Sequence, residues 1–339
     1  MPLREQRRAH HGAQEARSRI ALDRRQPEQS RRSARFDRNK RTSSVMPLSR
    51  RHFIGITASA VVALACKSTN AQEERALFWR IETPEGGRGV VFGYARVAAA
   101  VAPEVTKDGV RFIENAKRVV LDMANARFPA MKIDPSLPPL LPKLDPARAQ
   151  QVRSILTSMR IPPAQLETLP GFFIASLLYA EGQTNPAPSV GGVIADRAKA
   201  FGRPMTVLLE ASDVEHLRKP VDFARINQSV DAATIEFLLD ARQRVGPLGA
   251  HLERLYRERK GEELERFAKT MREHGVPESQ TYLDADAARE MLLARLPTAL
   301  RSQQSDDSAF CLLPIGMLTG AKSILATLRD RGAHTTSLA

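Results

Sequence analysis

Histidine, the side chain most often used as a metal ligand or general base near neutral pH, occurs four times after residue 72, at His216, His251, His274 and His334. These histidines are scattered and show no ligand spacing. His216 follows Glu210 by six residues and Asp213 by three, but a histidine on an exposed helix face is the more frequent case. No nucleophile elbow, Walker loop or dinucleotide-binding glycine run occurs, since residues 86–89 (GGRG) lack the strand-then-helix context.

Most of the positive charge sits at the start of the chain. The formal net charge is +13, and residues 1–51 hold 15 Lys and Arg against 5 Asp and Glu, which leaves 36 against 33 for the rest. Residues 1–45 are rich in arginine and poor in apolar side chains, so they are predicted to be disordered. Either they form a basic arm, or translation begins at Met46; we favour the second reading, in which the mature protein has no nucleic-acid partner.

A twin-arginine export signal is indicated for residues 46–71. Arg50 and Arg51 precede the uncharged run ITASAVVALA (56–65), too short to span a bilayer. We expect cleavage after Ala71 and a periplasmic or secreted protein without a transmembrane segment. Cys66 follows a sequence similar to a lipoprotein box, with lipidation as the lesser alternative. The only other cysteine is Cys311, so no disulfide framework is expected.

Residues 72–339 are predicted to form one α/β domain. The apolar segments 76–83 and 89–93 flank a Pro- and Gly-containing turn, which predicts an opening β-hairpin. Three further apolar runs, 118–123, 204–209 and 309–313, predict buried strands of a small sheet.

Many helices are expected around this sheet, together with helical insertions. Residues 212–215 (SDVE) suggest a capping box, and 320–328 predict a late helix that stops at Gly332. Apolar positions at helical spacing predict core faces, with the charges of 258–266 facing water. Residues 128–146 contain six prolines and are predicted to be a linker or surface crossing. The core positions are Ile235, Leu238, Leu239, Leu252, Leu255, Tyr256, Leu264, Phe267, Ala268 and Met271.

The order of these segments resembles the TraB/GumN family, whose animal relatives are the TIKI membrane metalloproteases. The likeness covers about residues 76–337 and is carried by FWRIET, VVFGYARV, RVVLDM, DRAKAFGRPMTVLLEASDVEHL and FCLLPIGMLTGAKSILATLRDRGAHTT. The resemblance implies a divalent metal held by two Gly-x-x-His motifs and an acidic residue, which would activate a water.

Both histidines of that metal site are missing from this chain. The first motif reads Gly93-Tyr94-Ala95-Arg96, and a guanidinium cannot ligate a cation. The second reads Pro314-Ile315-Gly316-Met317, and a thioether suits Cu(I) better than a hydrolytic centre. Neither a metal nor another cofactor is therefore expected. The resemblance places Gly93, Arg96 and Met317 in an inherited binding site.

The acidic positions of the family are filled by Asp122, which is shorter than the usual Glu, and by Glu210. Arg289 lies where the family has an Arg-Asn pair, with Glu290 replacing the Asn, and we expect it to belong to the same binding site. We expect Arg96 to take the charge of the missing metal by pairing with Asp122, Glu210 or both. The alternative is that Arg96 points into solvent from a loop.

Two functions are compatible with these residues. One is a non-catalytic protein with a binding or accessory role. The other is an extracytoplasmic hydrolase of metalloprotease type with an altered site, in which Asp122 and Glu210 act as acid and base or hold a metal with fewer ligands. The sequence names no ligand, protein partner or oligomeric state.

Overall fold

The computed structural model describes residues 76–123, 136–185, 187–218, 223–276, 283–301 and 308–338. The segments assigned to the basic arm (1–45) and the export signal (46–71) lie outside these residues, as do Cys66 and the expected cleavage site. No helix in the described part is both long and apolar enough to cross a membrane.

The predicted hairpin is confirmed. Strands β1 (Phe78–Glu82) and β2 (Arg88–Tyr94) are antiparallel, with Phe78 opposite Phe92 and Glu82 opposite Arg88. Gly86 adopts a φ of +83° in the turn, a backbone conformation that suits glycine.

Four strands of the sheet run parallel. β3 (Arg118–Met123), β4 (Met205–Leu209) and β5 (Ala309–Pro314) occur where the apolar runs predict them. The strand order is β4-β3-β5-β2-β1-β6, and β2, β5, β3 and β4 are mutually parallel. All six residues of β5 are buried, as expected for a central strand covered on both faces. The edge strand β6 (His334–Leu338) pairs antiparallel with β1 and was not predicted from the sequence.

Helices surround the sheet and fill the long connections β3–β4 and β4–β5. The described α-helices are α1 (Pro103–Asn115), α2 (Pro146–Ser158), α3 (Pro163–Leu166), α4 (Gly171–Tyr179), α5 (Val190–Ala200), α6 (Ala211–Leu217), α7 (Phe223–Ser229), α8 (Ala232–Val245), α9 (Leu248–Arg257), α10 (Gly261–Glu273), α11 (Ala285–Leu300), α12 (Ile315–Leu318) and α13 (Ile324–Asp330). A 3-10 helix covers Leu141–Lys143.

Two hydrophobic cores hold these elements together. The first surrounds the sheet and includes stacked rings of Phe78, Phe92 and Phe310, which Phe112 of α1 covers. The second is built by helices of the two long connections, mainly α2, α4 and α8. Phe267 of α10 contacts both cores. The expected helical insertions therefore pack against each other around a core of their own.

Most of the predicted helical core positions are buried, and Leu252, Phe267 and Ala268 are half-buried. The capping box is displaced by two residues, since Glu210 and Asp213 form it, instead of Ser212 and Glu215. The late helix begins only at Ile324, because the side chain of Ser323 caps its amino end.

The proline-rich stretch differs from a simple surface crossing. Residues 128–135 lie outside the described part of the chain, but the rest of the stretch enters the second core. Leu137, Leu140, Leu141 and Leu144 are all buried there. The prolines prevent a long helix, while the leucines between them still supply apolar surface that packs against helices.

Candidate functional site

The four parallel strands end at one edge of the sheet, which we call the carboxyl edge. Tyr94 at the end of β2 lies opposite Pro314 at the end of β5, and Met123 of β3 lies opposite Leu209 of β4. Ligands of open α/β sheets bind at this edge, beyond the carboxyl ends of the strands. The candidate residues Arg96, Asp122, Glu210 and Met317 all follow or occupy these strand ends. The topology therefore collects the sequence-predicted site at one edge.

Asp122 is the buried acidic group of this edge, with only 6% of its surface exposed. The phenol of Tyr94 donates a hydrogen bond of 2.7 Å to Asp122 Oδ2. Burial raises the pKa of Asp122 from 3.8 to about 6, although the bond from Tyr94 and backbone N–H groups oppose the rise. Burial and the neighbouring carboxyl also raise the pKa of Tyr94 well above its usual value. The pair thus places a carboxyl that titrates near neutral pH beside a phenol that keeps its proton.

The expected ion pair of Arg96 is wrong. Arg96 is exposed, and no hydrogen bond or salt bridge joins its side chain to Asp122 or Glu210, all three being described residues. The chain turns sharply here, since the N–H of Val97 donates to the carbonyl of Ala95 at 2.8 Å. Val97 is buried, so the turn places the Arg96 side chain on the solvent side. Tyr94, two residues earlier in the same motif, contacts the carboxyl instead.

Backbone contacts hold the chain after Tyr94. The carbonyl of Arg96 accepts a 3.0 Å hydrogen bond from the Gln183 side chain, and the carbonyl of Val97 accepts one of 2.9 Å from the N–H of Val190. An ideal Cβ on Gly191, in the first turn of α5, would lie 3.4 Å from the Tyr94 ring. The first motif is therefore covered by the segment that enters α5.

Gly93 has a packing role. An ideal Cβ at this position would lie 2.4 Å from Ile315 Cδ1 and 3.2 Å from Trp79 Cζ3. Its carbonyl faces the hydroxyl of buried Tyr256 at 3.4 Å. The close approach of β1, β2 and α12 explains why glycine precedes Tyr94.

The second motif forms the start of α12. Ile315 is buried, and Met317 is half-buried against the sheet core. An ideal Cβ on Gly316 would lie 2.8 Å from Glu265 Oε2, so the carboxylate of Glu265 contacts this motif from α10. The side chain of Glu265 is 15% exposed and pairs with Arg272. The prediction that Glu265 faces water is wrong, because α10 packs this side toward α12.

Glu210 lies at the amino end of α6 and is exposed. Its N–H donates a 2.9 Å hydrogen bond to the carboxylate of Asp213. Arg295 of α11 bonds the same carboxylate and donates to the carbonyl of Leu208 at 2.6 Å. The hydrogen bond from Arg295 is the main reason that the pKa of Asp213 is lowered. Arg295 thus fixes the turn that presents Glu210.

Arg289, the arginine of α11 that the sequence predicts in the site, makes only local ion pairs among the described residues. Arg289 pairs with Asp286 at 3.0 Å and with Glu290 at 3.8 Å, both on its own helix. Arg295 lies six residues later, and only its contacts across the fold distinguish it from other arginines. His216 is exposed on α6, which agrees with its surface interpretation.

The donors that the described residues place at the carboxyl edge do not fit a hydrolytic divalent metal. Such a centre needs at least three ligands drawn from imidazole, thiolate and carboxylate. In the described ranges, no group of three or more His, Cys, Asp or Glu side chains is arranged to hold a metal ion. The carboxyl of Asp122 is instead hydrogen-bonded to a phenol.

The fold and its carboxyl edge define an α/β protein with a mixed six-stranded sheet and a buried acidic group at the strand ends. The chain belongs to the TraB/PrgY/gumN family, whose model matches residues 77–337 of the 339. No curated protein and no solved structure matches the chain.

Proposed function

We propose that this member of the TraB/PrgY/gumN family is non-catalytic and has a binding or accessory role outside the cytoplasm. The observation that carries the proposal is the Tyr94–Asp122 hydrogen bond of 2.7 Å. Tyr94 thereby occupies Asp122, a buried carboxyl of the edge. Tyr94 belongs to the motif in which Arg96 replaces the histidine that the family resemblance leads one to expect. In the second motif, Met317 stands in place of the other expected histidine.

The metal content of the purified protein tests this proposal. Protein prepared without chelator is equilibrated with Zn²⁺ or Mn²⁺, dialysed and analysed for bound metal. We expect no stoichiometric metal in the wild type. The double variant Arg96→His with Met317→His is the matched control, because it restores both imidazoles and should gain binding if the carboxyl groups converge on them. One equivalent of metal in the wild type contradicts the proposal.

A hydrolase with an altered site is the second candidate, and the pKa of Asp122, about 6, favours it. A general acid works best with a pKa near the operating pH. Amide hydrolysis would require Glu210 to take a proton from the attacking water and protonated Asp122 to give one to the leaving nitrogen. Peptide hydrolysis that Asp122→Asn and Glu210→Gln both abolish, while Asp196→Asn does not, would establish this alternative.

Export is part of the proposal. Residues 46–71 serve as a twin-arginine signal, residues 72–339 form the mature domain, and residues 1–45 are not translated. Because the paired cations define such a signal, Arg50→Lys with Arg51→Lys should leave the protein in the cytoplasm, and the wild type should begin at Gln72. Fractionation and N-terminal sequencing measure both. Normal periplasmic recovery of the double variant, lipid on Cys66, or native peptides from residues 1–40 would each contradict one of these statements.

A further inference from the structure

A pocket of about 240 Å³ lies on the β1 side of α12, and none of its lining residues belongs to the candidate site at the carboxyl edge. Strand β1, the first turn of α10, the loop after α12 and helix α13 enclose it. The residues that bear on its chemistry are Trp79, Glu262, Thr319, Ser323, Leu325 and Arg329. The volume is below that of pockets for drug-sized ligands, so its occupant must be small.

Trp79 supplies a hydrogen-bond donor for which the described residues provide no acceptor. Only 2% of Trp79 is exposed. No hydrogen bond joins its indole N–H to any residue that the structure describes. The indole nitrogen is not fully enclosed by protein atoms, so water or a ligand can reach it. A buried indole N–H normally has an acceptor, and Trp79 lines the pocket, where a ligand can supply one.

Glu262 supplies a negatively charged hydrogen-bond acceptor at the wall of the pocket. It lies half-buried in the first turn of α10, and within the described ranges its carboxylate has neither a salt bridge nor a hydrogen bond. The neighbouring Glu263 differs, because it pairs with Lys260 at 3.6 Å. A carboxylate at the wall of a pocket attracts a cationic group, such as an ammonium.

Further groups add donors and positive charge. The Oγ of Ser323 accepts a 3.1 Å hydrogen bond from the N–H of Ala326, which leaves its hydroxyl proton for another acceptor. The hydroxyl of Thr319 already donates to the carbonyl of Ile315, so toward the pocket it can only accept. Arg329 brings a positive charge to the wall, although its Nε is bonded to Thr335.

We propose that this pocket binds a small zwitterion, a free α-amino acid. Its ammonium pairs with Glu262, and its carboxylate accepts from Trp79 and Ser323 near the positive charge of Arg329. Neither a simple amine nor a simple carboxylate satisfies both kinds of group. The inference goes beyond the proposed binding role, and it does not depend on Asp122, Glu210 or the metal measurement.

Trp79 makes the test direct, because it is the only tryptophan in the sequence. The purified protein is titrated with glycine, L-alanine and L-serine, while indole fluorescence and calorimetric heat are recorded. We expect a saturable response, and binding about tenfold weaker for methylammonium or acetate, since each lacks one charged end. Glu262→Gln should weaken amino-acid binding about tenfold or more, whereas the matched control Glu263→Gln should not change it. The denaturation midpoint of each variant shows that it folds.

Three results would overturn the proposal. The first is the absence of any saturable signal by both methods. The second is an affinity that Glu262→Gln leaves unchanged. The third is a response to glucose without a response to the amino acids, which would assign the pocket to a neutral polyol. Since the metal analysis is separate, failure here leaves the proposed function standing, and stoichiometric metal would leave this pocket untouched.

Discussion

Replacing Asp122 with asparagine should raise the free energy of unfolding relative to the wild type, and this difference should grow as the pH rises from about 4 to about 7. Burial raises the pKa of this carboxyl from 3.8 to about 6 in the folded protein, while the unfolded chain ionises near the ordinary value. Between these two values the unfolded state loses its proton and the folded state keeps it. Stability therefore falls with rising pH in this window, and is constant with respect to this group outside it.

The size of the effect follows from the two pKa values. The difference between 3.8 and about 6, at about 1.36 kcal/mol per pKa unit, amounts to about 3 kcal/mol. Asparagine cannot ionise, so it removes this penalty, while its side-chain carbonyl can still accept the hydrogen bond from Tyr94. The free energy of unfolding of Asp122→Asn minus that of the wild type should thus rise by about 3 kcal/mol across the window, whatever its value near pH 4.

Urea unfolding at several pH values between about 4 and 7 measures this difference, because the other titrating groups contribute equally to both proteins. Asp196→Asn is the control. Asp196 pairs with Lys199 on the surface and its side chain is 78% exposed, so its difference curve should be nearly flat. Parallel pH profiles for Asp122→Asn and the wild type would show that the Asp122 carboxyl is not desolvated as the structure implies.

Three further substitutions probe the fold. Tyr94→Phe removes the hydrogen bond to the buried carboxylate of Asp122, so it should destabilise the protein by about 1.5 to 3 kcal/mol at neutral pH and raise the pKa of Asp122 further. Denaturation measures the first effect and carboxyl NMR the second, and an unchanged pKa would count against the bond. Arg242→Ala leaves buried Glu181 without its two hydrogen bonds of 2.6 and 2.8 Å and should lower the free energy of unfolding by about 2 to 3 kcal/mol. The loss is smaller than for a fully buried pair because the Arg242 side chain is 32% exposed. A loss below about 0.5 kcal/mol in urea unfolding would refute this. Gly93→Ala forces a Cβ against Ile315 and should lower stability by about 1 to 3 kcal/mol, so an unchanged melting temperature would contradict the packing role of this glycine.

Local sequence patterns were sufficient for the main strands. The hairpin and the three buried strands were predictable because a strand core needs a short apolar run, and a hairpin needs a turn that tolerates a positive φ. The strand β6 was missed, since HTTSL has no apolar alternation and becomes a strand only by pairing with β1. The family order of segments then located Asp122 and Glu210 at strand ends, which the parallel register brings to one edge.

The composition of the site was decided by the tertiary structure. From the sequence, Arg96 was expected to pair with Asp122 or Glu210 because of its charge, and the alternative was a side chain in solvent. The turn at Ala95 and the burial of Val97 direct Arg96 outward, so the neutral Tyr94 meets Asp122 instead. A hydrogen-bond partner is fixed by where the backbone places each side chain. Local sequence determines which residues lie near a strand end, and only the packing of distant elements determines which of them meet.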